Sequence, residues 1–267
     1  MAIPARYELK YLIPERLAAP LREAIAPFCE LDRHSAAAPD RQYTITSLYL
    51  DSATREFHRA KVERQRRRLK LRVRTYGEDA DGPVFFEVKR KIDQVVIKGR
   101  APAPQRSWEQ RLLGPPPDDA APAEVDFRAV LERHAARPTL LARYRREAYV
   151  SVVDAYARVT LDRRLQYQSC DRWELTGEAR GWSAQDDIRA TRGTRAGLVL
   201  ELKATTAVPL WMTALVQRFE LLRAGFSKYC TGVDRLWGGQ DLSRLGDRAA
   251  VYSRRGWGAE ADWRTDP

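Results

Sequence analysis

The chain has 267 residues, enough for one large β-rich domain or two small ones, and 44% of them are hydrophobic, so a real core is within reach. Lysine and arginine number 47 against 36 aspartate and glutamate, a formal net charge of +11 that predicts an anionic partner: nucleic acid, a membrane surface or a phosphate compound. Three widely separated cysteines (Cys29, Cys170, Cys230) argue against a disulfide framework or a CxxC metal site, and no signal peptide or apolar span is apparent, which predicts a soluble protein of a reducing, cytoplasmic compartment.

Arg6-Tyr7-Glu8-Leu9-Lys10-Tyr11 alternates with period two, so Arg6, Glu8 and Lys10 share one face of a strand. A helix follows over 14–28, opened by Pro14 and split or kinked at Pro20. Residues 32–41 read as a loop. A strand over 45–51 places Ser47, Tyr49 and Asp51 together, and Asp51 or Ser52 caps a short helix over 53–63. After a basic turn at 64–68, residues 69–76 alternate strictly, with Lys70, Arg72, Arg74 and Tyr76 on one face and Leu69, Leu71, Val73 and Thr75 on the other. Adjacent cations on one face repel unless something anionic lies against them.

A turn at 77–83 leads to a strand over 84–91 that aligns Glu87, Lys89 and Lys91, and one over 95–100 that aligns Lys98 and Arg100. The proline-rich connection 101–123 has room for a short helix near 107–113, and 123–136 has helical spacing. Residues 140–153 contain Tyr144-Arg145-Arg146. Strands over 157–162 and 198–203 then present Arg158, Thr160 and Asp162, and Glu201 and Lys203. A helix over 209–224, stopped by Gly225, precedes Phe226-Ser227-Lys228-Tyr229 and a short helix ending near Trp237. Residues 1–240 are one domain on this reading, and 241–267 a loosely ordered tail. His34, His58 and His134 share no metal-ligand spacing and read as structural or exposed.

Six strands thus carry Lys, Arg or Glu opposite a mostly apolar face. The helices need an apolar partner and the apolar strand faces need cover. Both needs are met if the fold is α+β, a closed antiparallel barrel with helices outside and the charged faces lining a lumen. A lumen crowded with cations calls for a polyanion, and phosphate chains suit arginine forks and lysine point charges. Nucleic acid is not expected, because aromatics are not interleaved with the cations as a base-stacking platform requires.

The motifs Arg6-Tyr7-Glu8-Leu9-Lys10-Tyr11, Ser47-Leu48-Tyr49-Leu50-Asp51, Lys70-Leu71-Arg72-Val73-Arg74-Thr75-Tyr76, Phe86-Glu87-Val88-Lys89, Tyr144-Arg145-Arg146, Arg158-Val159-Thr160-Leu161-Asp162, Leu200-Glu201-Leu202-Lys203 and Phe226-Ser227-Lys228-Tyr229 occur in this order. Over roughly residues 4 to 237 the chain resembles the polyphosphate polymerase domain of the vacuolar transporter chaperone (VTC) family. That family belongs to the triphosphate tunnel metalloenzymes, relatives of the CYTH triphosphatases. The resemblance implies a tunnel that moves the γ-phosphate of ATP onto a growing polyphosphate chain. It implies that Lys10, Arg72, Arg74, Lys89, Arg146 and Arg158 are catalytic cations touching phosphates, with Tyr144 beside them. It implies Glu201 as ligand of a divalent metal, Mn²⁺ or Mg²⁺, with Glu8 and Glu87 as rival or additional ligands; Glu201 as a plain ion-pair partner of Lys203 or a tunnel arginine is the alternative. Ser227 and Lys228 would close one end of the phosphate path, and Lys98 and Arg100 would add to its lining.

Two departures from the family pattern stand out. Arg6 occupies the place of the first glutamate of the triphosphatases' Glu-x-Glu-x-Lys, a change that the polymerase branch shares and that favours holding phosphate over metal-activated attack by water. Gly225 stands where the eukaryotic polymerases carry a lysine. The regulatory domain and membrane helices of the eukaryotic complexes have no counterpart in this sequence, so a membrane partner would act in trans. An inorganic or nucleoside triphosphatase and a non-catalytic polyphosphate binder are the other readings.

Overall fold

Period-two alternation becomes strand where helices cover its apolar half. The computed structural model describes residues 6–77, 82–93, 95–154, 156–185, 197–205 and 207–238; the tail expected over 241–267, most of the turn at 77–83 and the side chain of Arg6 lie outside the described set. One antiparallel sheet runs, in order across it, β1 (Arg6–Ile13), β10 (Leu198–Thr205), β8 (Ala157–Ser169), β7 (Arg137–Ser151), β3 (Tyr43–Asp51), β4 (Arg67–Tyr76), β5 (Pro83–Ile92) and β6 (Val95–Pro104). Short strands β2 (Cys29–Leu31) and β9 (Ser183–Ala184) add to β7 and β8.

The convex side of the sheet is apolar. At one half Tyr11, Ile13, Val159, Leu161, Leu198, Leu200 and Leu202 are buried under Leu21 and Ile25 of α1 (Ala18–Ile25) and Met212 and Leu215 of α6 (Leu210–Arg218). At the other half Val84, Phe86 and Val88 share a core with Trp108 and Leu112 of α4 (Trp108–Leu113) and Phe127 and Val130 of α5 (Pro122–Arg133), and Leu71 and Val73 join it with Phe57 of α3 (Glu56–Val62). Alternation then sends the charged residues to the concave side, where register aligns them. Lys10 lies opposite Glu201 and Glu201 opposite Thr160; Lys70 lies opposite Lys89 and Lys89 opposite Lys98; Glu87 lies between Arg72 and Arg100.

The sheet is curled but open. Among the described residues β1 and β6 are not hydrogen-bonded to one another, so the closed barrel expected from sequence is corrected to a half-barrel. β6 contains Pro102 and Pro104, which offer no backbone donor, a composition suited to a free edge. The curl nevertheless carries β1 to within side-chain reach of β5, with Lys89 Nζ 3.0 Å from Glu8 Oε2.

Four local readings change. Residues 32–41 contain α2 (Arg33–Ala37), capped by Asp32, whose carboxylate accepts from the Ser35 amide at 2.9 Å. Pro20 falls in the first turn of α1, where a missing N–H costs nothing, so it produces no kink; a 3₁₀ turn, Glu15–Leu17, precedes the helix. The helix expected over 209–224 stops at Arg218, well before Gly225. Glu220 takes φ of 48°, and the chain leaves the helix to bond β1, the Ala224 amide donating to the Lys10 carbonyl at 2.7 Å. β8 continues seven residues past the predicted 157–162, to Ser169, because it pairs with β7 along that length. No helix among the described residues is long and apolar enough to cross a membrane.

Candidate functional site

Three strand pairs deliver the concave charges. On β1 and β10, Lys10 Nζ sits 3.0 Å from both Glu8 Oε1 and Glu201 Oε1, and Lys203 Nζ lies 2.6 Å from Glu201 Oε2. On β7 and β8, Arg146 grips the fully buried Asp162 with both Nε (2.6 Å) and Nη2 (2.8 Å). On β4 and β5, Arg72 donates to Glu87 Oε2 at 2.6 Å and to the Tyr49 hydroxyl at 3.1 Å, while Arg74 donates to Ser47 Oγ at 3.0 Å. Cations outnumber carboxylates on this face, and Arg74, although buried, reaches its nearest carboxylate, Glu87, only at 3.9 Å.

One end of the concavity is closed by α7 (Lys228–Trp237). Its N-cap, Ser227, accepts from the Cys230 amide and from Lys70 Nζ at 2.9 Å, and Lys228 Nζ reaches Asp162 Oδ2 at 2.6 Å. The helix is held from outside by His58 Nε2 against Asp234 at 2.7 Å and by the Tyr229 hydroxyl bonded to Asp51, whose carboxylate also accepts from the Phe57 and His58 amides of α3. The opposite end opens into a cavity of about 620 Å³ lined by Arg100, Arg146, Arg158, Lys203 and Thr160, with Tyr43, Tyr76 and His34 on its wall.

The crowding shows in the protonation equilibria. Burial opposes ionisation of Glu201, but Lys10, Lys203, Lys228 and Arg146 outweigh it and hold the carboxyl well below the carboxylate range. Glu87 and Asp162 behave alike: against burial, Arg72 and Arg74 pull Glu87 to about 2, and Arg146 and Lys228 pull Asp162 to about 2. The surplus of cations appears in two groups that lose a proton more readily than usual. Burial, with Lys10 and Lys89 nearby, lowers Lys70 to about 8. Burial would raise Tyr49, but Arg72, Arg74, Lys70 and Lys228 bring it down to about 8. Several buried polar atoms here have no hydrogen-bond partner: the Tyr144 hydroxyl, Thr160 Oγ1 and Arg158 Nε. Unpartnered donors in a cation-rich hollow are what a bound oxyanion satisfies.

The carboxylates divide on the question of a divalent metal. Glu8 and Glu201 already converge on one cation, the Lys10 ammonium, so two hard oxygen donors point to a common place. Glu87 stands apart among guanidinium groups, with Arg72 at 2.6 Å and Arg100 at 3.6 Å, and shares no cation with Glu8 or Glu201 in these contacts. Among the described residues no cluster of three His, Cys, Asp or Glu could hold a metal. A metal on Glu8 and Glu201 therefore needs phosphate oxygens or water for its other positions, the usual habit of Mg²⁺.

Of the residues singled out in the sequence, Lys10, Glu8, Glu201, Lys89, Arg72, Arg74, Glu87, Arg146, Ser227 and Lys228 are joined by the contacts above. Tyr144 is buried, with Lys228 Nζ 4.5 Å and the Arg146 guanidinium carbon 5.4 Å from its ring centre. Arg158 stands at the mouth, bonded to Asp32 at 3.1 Å, and Lys98 lies exposed on the edge strand. Sequence reasoning gave no role to Asp162, Lys70 or Tyr49, and named Lys203 only as the ion-pair partner of Glu201, a contact present at 2.6 Å. The signal was available for Asp162, an acid placed on the cationic face of β8 by its alternation with Thr160 and Arg158.

The VTC domain family model matches residues 5–237. No curated protein matches the sequence. Among solved structures, a proposed adenylate cyclase from Vibrio parahaemolyticus is 12% identical, with a TM-score of 0.47 over 86% of this chain and 98% of its own. A second proposed adenylate cyclase, from Bacillus halodurans, is 8% identical, with a TM-score of 0.48 over 88% and 97%. The PH1819 protein from Pyrococcus horikoshii is 14% identical, with a TM-score of 0.37 over 80% and 86%.

Proposed function

The chain belongs to the VTC domain family, and on that premise we propose that it is a polyphosphate polymerase-like phosphotransferase, moving the γ-phosphate of ATP onto a growing phosphate chain. The observation that carries the reading is the surplus of buried cations and unpartnered donors around one hollow, closed at one end by Ser227 and Lys228. Phosphoryl transfer asks for positioning and charge neutralisation more than for covalent chemistry, and this face is built for both.

Arg72, Arg74 and Arg146 hold the β- and γ-phosphates in forked geometry, with Lys10 and Lys89 as point charges beside them. The Tyr144 hydroxyl and Thr160 Oγ1 supply neutral donors to phosphate oxygens. A divalent ion on Glu8 and Glu201 supplies further neutralisation of phosphate oxygens when bound. The terminal oxygen of the phosphate chain attacks the γ-phosphorus, the bond from γ-phosphorus to the β–γ bridging oxygen breaks, and ADP departs with that electron pair. No net proton moves, and no side-chain nucleophile takes part.

Purified protein given ATP and Mn²⁺ is expected to form a chain-length ladder on a gel while releasing ADP. Phosphate release without polymer would assign a triphosphatase, and tight polyphosphate binding without either product would assign a non-catalytic binder.

A further inference from the structure

The mouth of the hollow differs from its interior in one respect: it is aromatic. Tyr43, Tyr76 and His34 line the cavity of about 620 Å³. The His34 and Tyr76 rings stack with centroids 5.7 Å apart and planes 16° from parallel, and His34 and Tyr43 meet at 5.2 Å. Phe85 braces Tyr76 edge-on at 5.6 Å, and the Arg100 guanidinium carbon lies 3.6 Å from the Phe85 ring centre and 5.2 Å from that of Tyr76. These rings are half-buried rather than sealed into the core. Three elements bring them there: α2, whose cap Asp32 also accepts from the Tyr43 hydroxyl at 3.3 Å, and the paired ends of β3 and β4.

A phosphate chain has no use for an aromatic wall, because its charged oxygens gain nothing from a π-face. A nucleobase does, since base–aromatic and base–guanidinium stacking is favourable for every base. The same cavity reaches Arg146, Arg158 and Lys203, so a flat ring at the wall and anionic groups at the cations fit one continuous volume of ordinary ligand size. Burial and the neighbouring Arg33, Arg100 and Arg158 lower His34 against the pull of Asp32, which keeps its ring neutral and suited to stacking.

We infer that the His34–Tyr43–Tyr76 wall is a nucleoside site, which seats the base of a nucleoside triphosphate at the mouth and directs its phosphates inward to Arg146, Arg72 and Arg74. The inference rests on the phosphotransferase reading and sharpens it: the donor is selected as a nucleotide, not as any triphosphate. It also sets the polarity of the bound donor, nucleoside outward and γ-phosphate toward the end closed by α7.

Calorimetric titration of the protein with ATP, with inorganic tripolyphosphate and with ribose 5-triphosphate tests this. ATP should bind about tenfold or more tighter than ribose 5-triphosphate, the range that loss of one base stack produces. Tyr76→Leu and His34→Ala should each remove most of that advantage while tripolyphosphate affinity stays within about twofold. Equal affinity of the wild-type protein for ATP and ribose 5-triphosphate overturns the nucleoside site, as does a variant that weakens ATP and tripolyphosphate alike. The wild-type comparison needs no substitution, so it decides even if a variant fails to fold. Absence of binding by tripolyphosphate and ATP together would instead strike the phosphate-binding reading itself.

Discussion

Two clusters of buried charge lie on opposite sides of the same sheet and have opposite logic. On the convex side Glu147, 1% exposed, accepts from Arg22 of α1 at 2.7 and 2.8 Å, from Arg163 at 2.7 Å and from the Tyr149 hydroxyl. Every lone-pair direction of that carboxylate is engaged, and its surroundings hold it ionised, with burial outweighed by Arg22, Tyr149 and Arg163 to bring it to about 2. On the concave side the carboxylates are equally engaged, but cations remain in excess; unpartnered polar atoms occur on both sides, Thr160, Tyr144 and Arg158 here and Arg163 Nη2 in the convex cluster, so they alone do not separate the two. A buried ion pair by itself marks nothing more than an anchor. What marks a site is an imbalance of charge beside empty volume.

Breaking the anchor should have the largest effect on stability. Glu147→Ala leaves the buried Arg163 guanidinium with only the exposed Glu15, at 2.9 Å, and should destabilise the fold by about 3 kcal/mol in urea unfolding, while activity per folded molecule is retained. A mild loss of stability, or a specific loss of activity, would show the two clusters to be less distinct than described. The pH dependence has a definite sign. Glu147 is depressed in the folded state, so its stabilisation is present above its ordinary value of 4.5 and is lost as pH falls through about 2; Glu147→Gln should flatten that acid limb.

Arg74→Ala makes the reverse test. Removing this donor should lower kcat/KM by about 100-fold or more, the cost of a preorganised charge at the transferring group. Its effect on stability should be smaller than that of Glu147→Ala, because Arg74 reaches its nearest carboxylate only at 3.9 Å and is repelled by Arg72. Wild-type activity in this variant would take β4 out of the mechanism.

A smaller effect follows from the groups at the closed end. Lys70 has dropped from 10.5 to about 8 and Tyr49 from 10.0 to about 8 among the surrounding cations. A bound polyanion favours the protonated form of both. Between about pH 8 and 10, binding of tripolyphosphate should therefore take up protons, and affinity should fall as pH rises through that window. Calorimetry in two buffers of different ionisation enthalpy reads the uptake directly; equal heats would mean that neither group senses the ligand.

Much of the concave face could be read from the sequence because β4 keeps strict alternation over residues 69–76 and β5 keeps it from Phe86 to Lys89, each over a covered apolar side. Leu71 and Val73 leave no choice about where Lys70, Arg72 and Arg74 point. β7 was harder: Arg143, Arg145 and Arg146 put cations on both faces, and a register shift between Arg143 and Arg145 breaks the period. Alternation also says which way a side chain faces, not whether two sheet edges meet, so the open seam between β1 and β6 had no signature beyond the prolines of β6. The halt of α6 at Arg218 depends on residues 223–224 finding β1, a long-range contact that local helical spacing does not contain. The aromatic mouth was invisible for the same reason, since His34, Tyr43 and Tyr76 come from three separate segments.

A crystal structure of the protein with inorganic tripolyphosphate tests the central claim most directly. The account predicts phosphate oxygens within hydrogen-bond distance of Arg72, Arg74 and Arg146, inside the hollow and facing Lys10. A ligand bound only on the convex face or at the outer surface, with those guanidinium groups still turned to their own carboxylates, would contradict it.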